Sequence, residues 1–297
     1  MLDSILNITF FTQSLRISIP YVFPALGATF SERGGVINIA LEGILLMSAF
    51  ATTLGTFYTE SILVGILCGM LAGTLTSLLH GIITVTFKAD QIVSGIGINL
   101  LAIGITKFSC QLIFSSSSNS ARIVGLEQWT ILPAVPILGN PFLLAILVLL
   151  PVSHFILFRT RFGLRLRAVG EHPEAVDTLG ISVSKLRHSG VLISGALTGL
   201  AGTWLALDQH SFTDGMSAGR GFIALAAMIV GKWTPLGAVA AALLFGFAES
   251  LSLLLQEHSS VGQLVQMIPY ILTMIILSGF IGRAVAPASD GIPYEKE

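Results

Sequence analysis

Runs of about twenty mostly apolar residues recur along this chain, and each is long enough to cross the roughly 30 Å hydrocarbon core of a bilayer as a helix. Nine such spans are expected, near 15–31, 36–57, 61–87, 92–114, 139–158, 189–208, 217–231, 235–256 and 262–282. Composition agrees: 53% of the 297 residues are hydrophobic and 10% charged, against about 25% charged in an ordinary soluble domain. A soluble fold is excluded. The runs are continuous rather than alternating, so helices and not a barrel are implied. The expectation is an all-α polytopic membrane protein with one transmembrane domain over 1–297. A formal net charge of −1 leaves no basic field for nucleic acid. Cys68 and Cys110 fall inside apolar runs and read as small hydrophobes rather than a disulfide or metal framework. Residues 1–11 lack a basic stretch and a cleavage site, and are expected to form an interfacial helix rather than a signal peptide.

Lys and Arg in short loops set the orientation. The loop 159–188 holds Arg159, Arg161, Arg165, Arg167, Lys185 and Arg187, which assigns it to the cytoplasm. Propagation through nine spans puts Arg33, Lys88, Lys232, Arg283 and Lys296 on the same side. Arg16, Arg122 and Arg220 remain outside. The N-terminus is therefore expected outside and the C-terminus inside, in a plasma (inner) membrane. The seventh span is the weak one, because residues 221–231 are short for a crossing at 1.5 Å per residue; if it is re-entrant, the last two spans invert.

Small residues recur at helical spacing, Gly65, Gly69 and Gly73 in the third span and Gly195 and Gly199 in the sixth, which lets helix backbones approach closely where lipid supplies no hydrophobic drive. Leu71-Ala72-Gly73-Thr74 is echoed by Leu200-Ala201-Gly202-Thr203. On this topology the two spans run in opposite directions, the signature of an inverted repeat.

Enzymatic signals are thin. Six histidines are scattered without metal-ligand spacing, and Gly231-Lys232 lacks the first glycine of a phosphate-binding loop, since Ala226 stands there. The chain reads as a non-enzyme without cofactor; ATP, if it drives the process, sits on another subunit. Polar groups inside the membrane are more telling, since a charge at its centre costs roughly 2.5–3.5 kcal/mol. Asn38 and Glu42 lie one turn apart after the Gly34-Gly35 pair, and Gln91, Ser94 and Asn99 form a second polar face in the fourth span. Both sets are candidates for the wall of a translocation path. Interhelical hydrogen-bond stapling is the alternative for Glu42. Lys107 and Glu249 are close enough in expected depth to pair, with snorkelling as the alternative.

The cytoplasmic loop has two parts. Arg161-Phe162-Gly163-Leu164-Arg165-Leu166-Arg167 interleaves basic and apolar residues and is expected at headgroup level, in contact with lipid. Glu171-His172-Pro173-Glu174-Ala175-Val176-Asp177-Thr178-Leu179-Gly180 predicts a short capped helix: Pro173 suits the first position, Glu174 complements the dipole, and Gly180 suits a left-handed stop. So short a helix is marginal alone in water, which suggests that it docks onto a cytoplasmic partner.

Three stretches carry a family resemblance: Glu32-Arg33-Gly34-Gly35-Val36-Ile37-Asn38-Ile39-Ala40-Leu41-Glu42-Gly43, Lys88-Ala89-Asp90-Gln91-Ile92-Val93-Ser94-Gly95, and Arg161 through Ala175. They resemble the permease subunits of bacterial ABC importers for simple sugars and nucleosides, and the first is more similar to the nucleoside branch. The resemblance implies a second permease subunit, often forming a heterodimer, cytoplasmic ATPase subunits that bind the ATP, and an extracytoplasmic substrate-binding protein. It also implies that 171–180 is the coupling helix, with Glu171, His172, Pro173, Glu174, Ala175, Leu179 and Gly180 at the ATPase contact. An ion-driven secondary transporter and an uncoupled channel or scaffold subunit are the competing classes. The first would need a cluster of membrane carboxylates, where only Glu42 and Glu249 qualify, and the second leaves the 171–180 helix without purpose.

Orientation can be checked directly. With Cys68 and Cys110 replaced, a single cysteine at Asn7 is expected to react with an impermeant thiol reagent on intact cells, and one at Glu295 only after permeabilisation.

Overall fold

The computed structural model describes residues 8–126, 139–257 and 285–295, with isolated positions 267, 271, 274 and 275. The expected span at 262–282 lies outside the described residues apart from those positions, as do Asn7, Arg283 and Lys296. Among the described residues the fold is helical, and its one strand-like feature is an isolated bridge between Asn119 and Thr213. In chain order the elements are α1 (Ile8–Arg33), α2 (Leu41–Thr59), α3 (Ile62–Gly81), α4 (Gln91–Phe114), α5 (Pro141–Arg159), α6 (Arg161–Glu171), α7 (Pro173–Thr178), α8 (Val183–Gln209), α9 (Arg220–Val230) and α10 (Pro235–Glu257). A π-helical turn, Ile82–Thr86, extends α3.

Among the described residues six segments are long and apolar enough to cross a bilayer: 41–59, 62–86, 91–114, 141–159, 183–209 and 235–256. Two expected spans differ from the sequence pattern. The span placed at 36–57 begins only at Leu41, because the chain leaves helical geometry after Arg33 and Gly35 takes a φ of +79°, a conformation that glycine adopts at little cost. The seventh is reduced to α9, whose 11 residues rise only about 16 Å. Residues 8–11 are continuous with α1, and the rest of the expected interfacial segment, 1–7, lies outside the described residues.

The long helix α8 is the centre of the molecule, packed along α1, α2 and α3. Its small faces decide how closely it is approached. The α3 face carrying Gly69, Gly73 and Ser77 runs antiparallel to the α8 face carrying Thr203, Gly199, Gly195 and Val191. A Cβ on Gly73 would come within 2.6 Å of the Gly195 carbonyl oxygen and 2.8 Å of Gly199 Cα. Ser77 donates to the Val191 carbonyl oxygen at 2.6 Å. Leu71-Ala72-Gly73-Thr74 and Leu200-Ala201-Gly202-Thr203 thus sit on two helices that pack on each other. The remaining surface of α3 and α4 presents a continuous apolar face, with Leu63, Leu67, Leu71 and Leu75 of α3 exposed at four-residue spacing, as a helix flank in lipid requires.

Polar contacts sort the loops onto two opposite ends. At one end Arg33 donates to the Trp233 carbonyl oxygen (2.8 Å), Lys88 pairs with Glu295 (3.5 Å) and Ser289 N–H binds Gly170 O (2.9 Å). At the other, Arg16 pairs with Asp208 (2.7 Å) and Lys107 with Asp214 (3.2 Å), and residues 118–123 pair antiparallel with 210–214. Lys107 is therefore the partner of Asp214, not of Glu249. The sequence brought these two into one depth range but could not see that the 210–219 loop supplies a nearer carboxylate.

Expanding the close α3–α8 contact tests this packing. Gly73→Leu would drive a side chain into the α8 backbone and should remove folded protein from the membrane, as read by detergent-resistant abundance, whereas Leu71→Ala on the exposed face should leave abundance unchanged.

Candidate functional site

The helical interruption between α1 and α2 is the most heavily bonded non-helical stretch described. Backbone polar groups at membrane depth must find partners inside the protein, and here side chains supply them. Gln91 Oε1 accepts from Ile37 N–H at 2.6 Å, and Gln91 Nε2 reaches Gly35 O at 3.4 Å. His80 Nε2 lies 2.9 Å from Ile37 O while its Nδ1 lies 3.0 Å from Ser94 Oγ. Asn99 donates to Ile39 O (3.0 Å) and accepts from Gly43 N–H (2.8 Å). Ser31 donates to Val36 O (2.7 Å). Asn38 donates to Ser194 Oγ on α8 at 3.0 Å, and its Oδ1 is buried with no partner among the described residues. Asn38, Gln91, Ser94, Asn99 and His80 are all buried. Four of the five residues predicted for a path wall thus meet at one stretch of chain: Gln91 and Asn99 bond its backbone, Ser94 bonds the His80 ring that does so, and Asn38, within the stretch, bonds α8. His80 was not singled out; it follows an apolar run in which a buried ring has no sequence signature.

Glu42, the fifth, faces a second interruption. Residues 210–219 descend without helix from the end of α8, and α9 begins behind Gly219, whose φ is +81°. Glu42 Oε1 accepts from Gly219 N–H at 2.7 Å and Oε2 from Gly221 N–H at 2.8 Å. A carboxylate from α2 therefore caps the positive end of α9, satisfying two of its orphan donors. Beside it, Arg220 donates to Glu249 Oε1 at 3.1 Å, and Tyr21 OH donates to Glu249 Oε2. Glu42 thus bonds a neighbouring helix at its terminus, the geometry of an interhelical staple.

At the Arg33 end, α7 projects as expected. Pro173 opens it and Gly180 ends it at a φ of +75°. Glu171, His172, Glu174, Ala175, Leu179 and Gly180 are exposed and Pro173 half-buried, while Val176 is buried as the anchor. Leu179, 77% exposed, is an apolar side chain offered to solvent. The helix α6 that carries α7 buries Leu166 and Val169 and exposes Arg161 and Arg165. Arg167 leans inward, its guanidinium 4.9 Å from the Phe158 ring centre.

Comparison with known proteins adds what geometry alone does not. Residues 10–277 match the family described as the permease component of branched-chain amino acid transport systems. The chain belongs to this permease family. The permease is 44% identical to the guanosine ABC transporter permease protein NupQ of Bacillus subtilis, across 95% of each chain. It is 41% identical to the nucleoside ABC transporter permease protein NupC of Lactococcus lactis subsp. cremoris, again across 95% of each. Among solved structures it superposes on an inward-facing ABC transporter assigned to the metal-chelate type, with a TM-score of 0.50 and 18% identity over 92% of this chain and 86% of that one. The permease thus has the fold of an ABC transporter membrane subunit and is not an enzyme.

A segment that the sequence pattern did not single out, 285–295, closes the Arg33 end. Arg187, buried in α8, donates to Ile292 O at 2.8 Å. Asp290 lies beside Arg187 and Glu32, one carboxylate oxygen buried without a partner among the described residues. Trp233 Nε1 donates to Glu32 at 2.7 Å. A distant buried Arg and a C-terminal Ser-Asp-Gly have no spacing that links them in sequence.

Two outcomes follow for the permease. Glutamine at position 42 keeps one acceptor but turns an amide N–H₂ toward a backbone N–H, so Glu42→Gln should lower stability by about 1.5–3 kcal/mol and Glu42→Leu by more, as read from thermal unfolding in detergent. This is less lenient than the tolerance a simple side-chain staple would give. Burial pushes the Asp290 carboxyl up to about 7, with Glu32 and Arg187 pulling it down. A raised acid docks in its neutral form, so attachment of the tail is fullest at low pH and is lost as pH rises through about 7. Hydrogen exchange of peptide 285–295, corrected for intrinsic rates, should show protection falling from pH 5 to 8, and Asp290→Asn should flatten that dependence.

Proposed function

We propose that the permease is the membrane subunit of an ABC importer that carries nucleosides, pairing with a second permease, two cytoplasmic ATPase subunits and an extracytoplasmic binding protein. The observation that carries the substrate class is 44% identity to a guanosine permease along 95% of the chain. The membrane geometry fits a carrier: two interrupted crossings meet where Glu42 caps α9, and transporters commonly place their sites where broken helices converge near the midplane. In this reading Asn38, Glu42, Gln91, Ser94 and Asn99 form the support of the path, with the orphan Asn38 Oδ1 as its acceptor toward a passing hydroxyl or amine. Ion-driven transport is disfavoured by the state of its two candidate carboxylates, since Glu42 is held by backbone N–H groups and Glu249 by Arg220 and Tyr21.

This reading keeps the nine crossings expected from the sequence: to the six long apolar segments among the described residues it adds α1, α9 taken together with the non-helical 210–219 that leads into it, and the expected span at 262–282. The end bearing α7 is cytoplasmic, which places the C-terminus inside and the start of α1 outside. An inverted repeat is supported by packing. In each half a long helix (α1, α8) gives way to a non-helical stretch (34–40, 210–219), then a helix (α2, α9) and a further long helix (α3, α10). α1 packs on α10 as α8 packs on α3. This pairs α1 with α8, so the four-residue echo between α3 and α8 is a shared packing requirement rather than the repeat unit.

The exposed α7, with Glu171 and Glu174 around Ala175 and Leu179, is the ATPase-coupling helix. Glu174→Arg or Ala175→Asp should abolish uptake and release the ATPase on purification, because a reversed charge or a buried Asp at a docked surface costs on the order of 1 kcal/mol or more. Proteoliposomes bearing the complete assembly should accumulate labelled guanosine on addition of ATP, uncompeted by ribose or glucose. Accumulation of a sugar without nucleoside would overturn the substrate class.

A further inference from the structure

The segment 285–295 touches three things at once. Toward the C-terminal end of α6, just before α7, Ser289 N–H donates to Gly170 O (2.9 Å), Ser289 Oγ lies 2.8 Å from the same oxygen and 3.0 Å from Val169 O, and Ala288 N–H reaches Glu171 Oε2 (3.2 Å). Toward α8, Arg187 holds Ile292 O at 2.8 Å and Ser289 Oγ at 3.4 Å. Toward the membrane, the segment abuts the interruption before α2. A Cβ on Gly35 would stand 3.1 Å from Ser289 Oγ and 3.2 Å from Ser289 O, and one on Gly291 would stand 2.8 Å from Ile37 Cδ1. Ile37 is the residue whose N–H and C=O are gripped by Gln91 and His80.

We propose that residues 288–291 are a transmission wedge, through which movement of α7 under a docked ATPase reaches the interrupted stretch 34–40 and hence the path. The proposal rests on α7 being the ATPase-docking helix. Ser289, Asp290 and Gly291 act as positioning residues for coupling; none touches nucleotide or substrate. α6 leans on α1, α5 and α8 and also meets the start of the stretch, since a Cβ on Gly34 would stand 2.9 Å from Leu166 Cδ1 and one on Gly170 3.3 Å from Gly35 N; the wedge carries the contact further in, to Ile37. The wedge meets the short stretch itself, where the backbone is fixed by side-chain bonds and can exchange partners without unwinding a helix. A cleft of about 580 Å³ separates Pro173, Glu174 and Ala175 from Ile292, Pro293 and Tyr294. The end of α6 is thus bonded to the wedge, while the first turn of α7 faces the cleft. The raised pKa of Asp290 fits the same picture, since the neutral carboxyl seats in the buried corner formed with Glu32 and Arg187.

The test uses the assembled importer in proteoliposomes, measuring ATP hydrolysed and labelled guanosine imported, with permease abundance as the normaliser. Ser289→Ala removes the hydroxyl bonds, Asp290→Lys puts a fixed positive charge beside Arg187, and Gly291→Ala pushes on Ile37. Each is expected to keep the ATPase bound and hydrolysing while guanosine imported per ATP falls about five- to tenfold, the range of ordinary site-to-site coupling. A wild-type import ratio in all three overturns the wedge while leaving the docking helix intact. Loss of the ATPase from these variants also overturns it, because the tail would then be a docking surface. Should Glu174→Arg retain both ATPase and uptake, the docking reading fails and takes the wedge with it.

Discussion

The structure depends on satisfying backbone polar groups where the chain abandons the helix while buried among packed helices. A helix bonds its own N–H and C=O groups; a non-helical stretch at that depth has no water to turn to, and each orphan costs several kcal/mol. The interruption at 34–40 is possible because α3 and α4 send in His80, Gln91 and Asn99, and each of these bonds the backbone directly. Their buried position follows from that duty. The same bonds fix where α2 begins, and therefore where Glu42 stands.

From Glu42 the constraint passes to the second interruption. The α9 terminus would leave unpaired N–H groups and an uncompensated positive dipole in low dielectric, and the carboxylate answers both at 2.7 and 2.8 Å. Its charge is in turn balanced within a cluster that includes Arg220, Glu249 and Tyr21. Two incomplete crossings thus stabilise each other. Neither could persist alone, and a site formed this way can rearrange by exchanging a few hydrogen bonds while the close-packed α3–α8 core stays fixed.

The end bearing α7 follows a different economy. Here water is available, so a six-residue helix can be exposed provided that something holds its base. Val176 and the α6 residues Leu166 and Val169 give it an apolar footing, and the tail bonds to Gly170 and Glu171. What would otherwise be a loose loop becomes a rigid projection whose outer face is free for a partner.

Much of this was legible in the chain itself. Apolar runs marked most of the long helices, since lateral burial in lipid demands about twenty apolar residues whatever the neighbours do. Pro173, Glu174 and Gly180 located α7 because capping is a local matter of φ and dipole. The polar residues Asn38, Glu42, Gln91, Ser94 and Asn99 were identifiable as costly in a membrane and so as purposeful. Their partners were not. The start of α2 at Leu41 instead of residue 36, the pairing of Lys107 with Asp214, the role of His80, and the seating of Ser289 and Asp290 under Arg187 all join residues far apart in sequence. Such bonds have no periodicity to read. The sequence by itself determined which segments enter the membrane and which polar groups must be satisfied there, because those are costs each segment carries alone. Tertiary structure decided which groups satisfy which, because that depends on the α3–α8 approach and on two interruptions meeting at one depth.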